Sequence, residues 1–119
     1  MITIKLTHMK NDDTDEKKFF TGFEISGHAG FAEKGEDIVC AAVSVLSINT
    51  VNAIESLTSN LISVETREDG YLKIQSVDEF DSYGELLMDA FVLGILNIYD
   101  EYSNEDYKNE FINIQFEEV

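Results

Sequence analysis

From Asp37 to about Ser59 apolar residues recur at helical spacing, among them Ile38, Val39, Val43, Val45, Leu46, Ile48, Val51 and Ile54, and they cover more than one face. A helix that is apolar nearly all round is buried on several sides, so the rest of the chain has to supply covering surface. Asp37 is a good N-cap residue for its start. A second stretch, about Asp81 to Tyr102, places Leu87, Phe91, Ile95, Ile98 and Tyr102 at the same spacing. Around these two helices the period changes to two. Ile2, Ile4 and Leu6 alternate with Thr3, Lys5 and Thr7, and Phe19 to Ser26 carries aromatic and β-branched residues. Leu61 to Thr66 and Tyr71 to Val77 flank Arg67-Glu68-Asp69-Gly70, where Asp-Gly signals a hairpin turn. Phe111 to Phe116 alternates again. The expected order is β-β-α-β-β-α-β, an α+β domain in which a small sheet packs with two largely buried helices. The apolar surface of those helices exceeds what one sheet face covers, and the excess suits helix-on-helix packing or a homodimer contact.

The chain has 119 residues, the size of one domain spanning 1–119. Its 24 acidic and 8 basic residues give a formal charge of -16. Such a surface repels phosphate backbones and anionic lipid, which argues against direct nucleic-acid binding, and it steers basic partners inward. The longest apolar-rich stretch, Leu86 to Tyr99, is interrupted by Asp89, Gly94 and Asn97 and is too short and too polar for a bilayer. No membrane association is therefore expected. One cysteine forms no internal disulfide and suits a reducing cytoplasm. The polar segment Asn11 to Lys18 has no apolar residue and is expected to be a solvated connection.

That one cysteine, Cys40, falls in the first turn of the first helix, where free N–H groups and the helix dipole favour a thiolate. The bland alternative is a buried core cysteine ahead of Ala41, Ala42 and Val43. His28 lies between Gly27 and Ala29, in a loop to Glu36 that holds three glycines, Gly27, Gly30 and Gly35. Strand end and helix start meet at one edge of an α/β layer, so this loop can return His28 toward Cys40. An imidazole beside a thiol takes its proton, the minimum for attack on a carbonyl; a solvated loop histidine is the alternative. Amides at the helix start, that of Cys40 included, are candidates for an oxyanion site. Asp37 and Ser44 are supporting candidates, with cap and back-bonding hydroxyl as their structural alternatives. Phe31 is a candidate substrate contact or a local packing residue. His8, His28 and Cys40 lack metal-ligand spacing, and no Lys-Ser/Thr pair follows Gly35, so neither a metal nor a phosphate-binding cofactor is expected.

The run Ser26-Gly27-His28-Ala29-Gly30, continuing through Gly35-Glu36-Asp37-Ile38-Val39-Cys40-Ala41-Ala42 to Ser44, closely resembles the ribosomal-processing cysteine protease family, Prp. Gly-His-Ala, the later Gly-x-Asp-x-Val-Cys-Ala-Ala and a Ser four residues beyond the Cys carry the resemblance, and the element order extends it over essentially the whole chain. It implies a bacterial endopeptidase that removes an N-terminal extension from a large-subunit ribosomal protein. It also implies a homodimer with Cys40 as nucleophile, His28 as general base, and Gly27, Asp37 and Ser44 at supporting motif positions. The competing expectation is a non-catalytic module that binds a ribosomal protein or assembly factor. A thiol redox sensor ranks behind both, because no resolving cysteine exists.

Overall fold

The computed structural model describes residues 1–10, 18–27, 36–68, 70–102 and 111–119. Their order is β1 (Ile2–His8), β2 (Phe20–Ser26), α1 (Glu36–Leu57), β3 (Ile62–Arg67), β4 (Tyr71–Ser76), α2 (Ser82–Glu101) and β5 (Ile112–Glu118). The expected α+β order is therefore present. Most of the Asn11 to Lys18 connection lies outside the described residues.

The five strands form one sheet in the order β3-β4-β2-β1-β5. β1 pairs antiparallel with β2, from Thr3 opposite Ser26 to His8 opposite Phe20, and parallel with β5, from Ile2 opposite Ile112. β3 and β4 form the expected hairpin, with Arg67 opposite Tyr71. Gly70 takes φ 75° there, a conformation that side-chain-bearing residues rarely adopt.

Alternation decides which face of this sheet meets the helices. Ile2, Ile4 and Leu6 on β1, Phe23 and Ile25 on β2, and Ile74 on β4 are buried together with Val39, Val43 and Ile54 of α1 and Met88, Phe91 and Ile95 of α2. Phe23 stacks on Phe91 with ring centroids 4.1 Å apart, which ties α2 to the middle of the sheet. The other sheet face is polar. Lys5 lies between Glu24, at 3.7 Å, and Glu117, at 3.6 Å. The Tyr71 hydroxyl donates to Glu24 at 2.8 Å, and this bond to a carboxylate pushes the phenol up to about 12.

Three expectations about the helices need correction. α1 opens at Glu36, so Asp37 sits inside its first turn rather than capping it. Burial is also one-sided. Ile38, Val45 and Ile48 of α1 and Tyr83, Leu86 and Leu93 of α2 are exposed, because both helices pack on the same sheet face and their outer sides meet no further layer among the described residues. The longest apolar helix is likewise α1, not the Leu86–Tyr99 stretch. Ile38–Leu57 is long and apolar enough to cross a membrane, a test that core helices also pass. Here Val39, Val43 and Ile54 pack on the sheet.

α2 starts where expected. Asp81 is its N-cap, and the carboxylate accepts from the amides of Tyr83 and Gly84, each at 3.0 Å. Asn60 completes the cap by donating to the Asp81 carboxylate at 2.8 Å and accepting the Asp81 amide at 2.9 Å. The Asn60 bond, then the Gly84 amide, holds the Asp81 carboxyl below the usual carboxylate value.

Candidate active site

The end of β2 and the β3–β4 turn come to one end of the sheet. The pairing requires this: Ile25 lies opposite Leu72 at the start of β4, and Arg67 opposite Tyr71 closes the hairpin beside it. Gly27 follows β2 with φ 81°, and a Cβ there would stand 2.5 Å from the carbonyl oxygen of Met1. Only glycine fits both the dihedral and the approach at the end of β2.

Cys40 is the fifth residue of α1, half-buried and packed against the edge of the core. Helical pairing commits its amide to the carbonyl of Glu36, so Cys40 does not itself offer the oxyanion donor expected from sequence. The amides of Glu36, Asp37 and Ile38 lack an intrahelical acceptor. Side chains tilt toward a helix N-terminus, which carries the thiol back toward those amides and the positive end of the dipole. This arrangement suits a nucleophile whose product is an oxyanion.

Ser44 is exposed one turn further along the same helix face. It borders a groove of about 290 Å³ between α1 and the β3–β4 end of the sheet. Val43, Ser44 and Ile48 form one wall, and Ile25, Thr66 and Leu72 form the other. Sequence analysis did not single out this groove. The spacing of Cys40, Ser44 and Ile48 marks one wall of it, but the facing wall needs the β2–β4 pairing. Of the other expected site residues, His28 and Phe31 lie outside the described residues, as does the Asp37 side chain. Among the described residues, no group of three His, Cys, Asp or Glu side chains is arranged to hold a metal ion.

Known proteins resemble the chain over most of its length. A family model described as cysteine protease Prp matches residues 1–106. The ribosomal processing cysteine protease Prp of Staphylococcus aureus (strain Mu50 / ATCC 700699) is 34% identical over 104 residues, 87% of this chain and 92% of that protein. Its namesake from Bacillus subtilis (strain 168) is 30% identical over 92 residues, 73% of this chain and 82% of that protein. Among solved structures, the essential ribosomal processing protease Prp from S. aureus in complex with a substrate peptide superposes with a TM-score of 0.80 at 29% identity, covering 98% of this chain and 100% of that one. The same enzyme with a covalently linked product peptide gives 0.78 at 30% identity over the same shares.

Proposed function

The chain belongs to the cysteine protease Prp family, and on that premise we propose that it removes the N-terminal extension of a large-subunit ribosomal protein, with Cys40 as nucleophile and His28 as general base. The protein is a cysteine protease by family. The observation that supports the assignment within it is the position of the lone thiol, half-buried near the amide-rich end of α1.

His28 takes the thiol proton, and the Cys40 thiolate attacks the scissile carbonyl. Amides of the first turn of α1 hold the oxyanion. The tetrahedral intermediate collapses, His28 passes the proton to the leaving amine, and an acyl-enzyme thioester remains. Water, deprotonated by His28, attacks the thioester; the acid is released and the proton returns to sulfur.

The charge of -16 supports a basic protein substrate taken before it meets ribosomal RNA, because the same field attracts the one and repels the other. Cleavage rates should then fall as salt is added. The exposed stripe of Tyr83, Leu86 and Leu93 on α2 supports a homodimer; sedimentation at micromolar concentration that finds only monomer refutes it. A lone reduced cysteine supports a cytoplasmic location, which cell fractionation tests.

The deciding experiment is mass spectrometry of the ribosomal protein mixed with wild type or with Cys40→Ala. Loss of an N-terminal peptide with wild type alone is expected. Cleavage by Cys40→Ala sinks the mechanism, and an uncut substrate that co-purifies with wild type favours the non-catalytic binding module.

A further inference from the structure

The two edges of the sheet are guarded differently. β3 forms one edge and β5 the other. β3 carries Glu65 and Arg67 as an ion pair at 3.1 Å, and charged side chains of this kind discourage the addition of a strand. β5 pairs with β1 in unbroken register, from Ile2 opposite Ile112 to His8 opposite Glu118, and has no other strand partner among the described residues. From Ile112 to Phe116 it contains neither a charge nor a proline. A regular, uncharged edge is a template for another strand.

The backbone of that edge is already oriented. The Ile2 amide donates to the Phe111 carbonyl at 2.8 Å, and the Val119 amide donates to the His8 carbonyl at 3.0 Å. Odd-numbered residues of β5 therefore turn their backbone groups toward β1, and those of Ile112, Ile114 and Phe116 point outward. The side chains of these three line a groove of about 260 Å³ with Leu96 and Tyr99 of α2. Gln115 and Glu117 alternate onto the polar face. An added strand would lay every second side chain against the apolar groove and the others beside Gln115 and Glu117.

Charge selects which strand is added. A second copy of this chain brings its own charge of -16 to the contact, whereas a basic segment is attracted. Glu24 and Glu117 share the Lys5 ammonium, at 3.7 and 3.6 Å, and Glu118 adjoins them in the chain, which leaves the local balance negative. The structure already seats a cation at this edge: the Lys18 ammonium lies over the Phe116 ring at 4.2 Å. We propose that the outer edge of β5 is a docking strand for an extended basic segment of a protein partner. That segment alternates apolar side chains with Lys or Arg and joins the sheet by backbone hydrogen bonds. The surface goes beyond the proteolytic reading and does not depend on it.

The test reads fluorescence anisotropy of a labelled peptide alternating valine and lysine, with Cys40→Ala present throughout so that no cleavage intervenes. The Lys peptide should bind at least about tenfold more tightly than its Glu counterpart. N-methylation of one alternate set of its amides should abolish binding, and of the other set leave it. Phe116→Pro removes an outward N–H without touching a bond to β1 and should abolish binding. Glu117→Lys, a change on the surface, should weaken it several-fold, and it alone decides if Phe116→Pro loses the circular dichroism of the folded chain. Equal affinity for the Lys and Glu peptides, or wild-type affinity in Glu117→Lys or in a folded Phe116→Pro, overturns the docking strand. A dimer that Phe116→Pro dissociates in sedimentation assigns the edge to a second copy and overturns the basic partner. Each of these outcomes leaves the role of Cys40 to its own experiment.

Discussion

The two helices start in contrasting ways. α2 opens on a closed cap, in which the Asp81 carboxylate occupies the amides of Tyr83 and Gly84 while Asn60 holds it from both sides. The positive end of that helix is neutralised from within the chain, so its first turn serves stability and offers no anion site. α1 carries a thiol one turn in, follows a strand end shaped by Gly27, and borders an apolar groove. Similar helix geometry thus gives a structural joint at the start of α2 and, in the proposed function, the position of the nucleophile near the start of α1. The difference lies in which group faces the first turn: a carboxylate already bonded, or a sulfur able to develop charge.

The contrast is broken most sharply at Cys40. Cys40→Ser should lower cleavage at least about a thousandfold, since the hydroxyl is a poor nucleophile in a site suited to a thiolate, while the thermal melt stays close to wild type. Full activity of the serine variant would show that α1 does not differ from α2 in the way argued. Gly27→Ala ranks next. Its left-handed dihedral and the Met1 carbonyl should together cost about 1–2 kcal/mol of stability by urea unfolding. Because Gly27 immediately precedes the proposed base His28 in the chain, cleavage should fall by more than the unfolded fraction explains. An alanine variant with wild-type stability and rate would remove Gly27 from the account.

Asp81→Ala has the smallest expected effect and sharpens the comparison from the other side. Loss of the cap should lower the melting temperature by a few degrees without changing the rate of Cys40 alkylation. Because the folded carboxyl titrates below 3.8, its ordinary value, the cap contributes stability above that pH and loses it as pH falls further. The gap between wild type and Asp81→Ala should therefore be present at pH 7 and close below pH 3.8. A gap that persists in acid would assign it to packing instead of charge.

Local rules made much of this legible. The span of α2, the turn at Gly70 and the alternation of β1 each depend on residues a few positions apart, so spacing and side-chain chemistry sufficed. Cys40 was legible for the same reason, since a lone thiol near a helix start is a local feature, and the Gly-His-Ala to Val-Cys-Ala-Ala spacing added the family. The start of α1 was misread by one residue because Asp37 is a good cap by type, whereas the helix opens at Glu36. The apolar outer faces of both helices were read as buried, since composition reports how much surface wants covering but not whether the same chain covers it.

The number, kind and order of elements, the acidic field and the family follow from the sequence alone. Only the tertiary structure decided that β5 joins parallel beside β1, that Asn60 reaches Asp81 across 21 positions, and that Gly27 meets the Met1 carbonyl. It likewise decided that Leu72 and Thr66 face Val43 and Ile48 across a groove. The physical reason is the same in each case: these are contacts between residues far apart in the chain, set by strand register and by which sheet face the helices cover, and no local propensity encodes them.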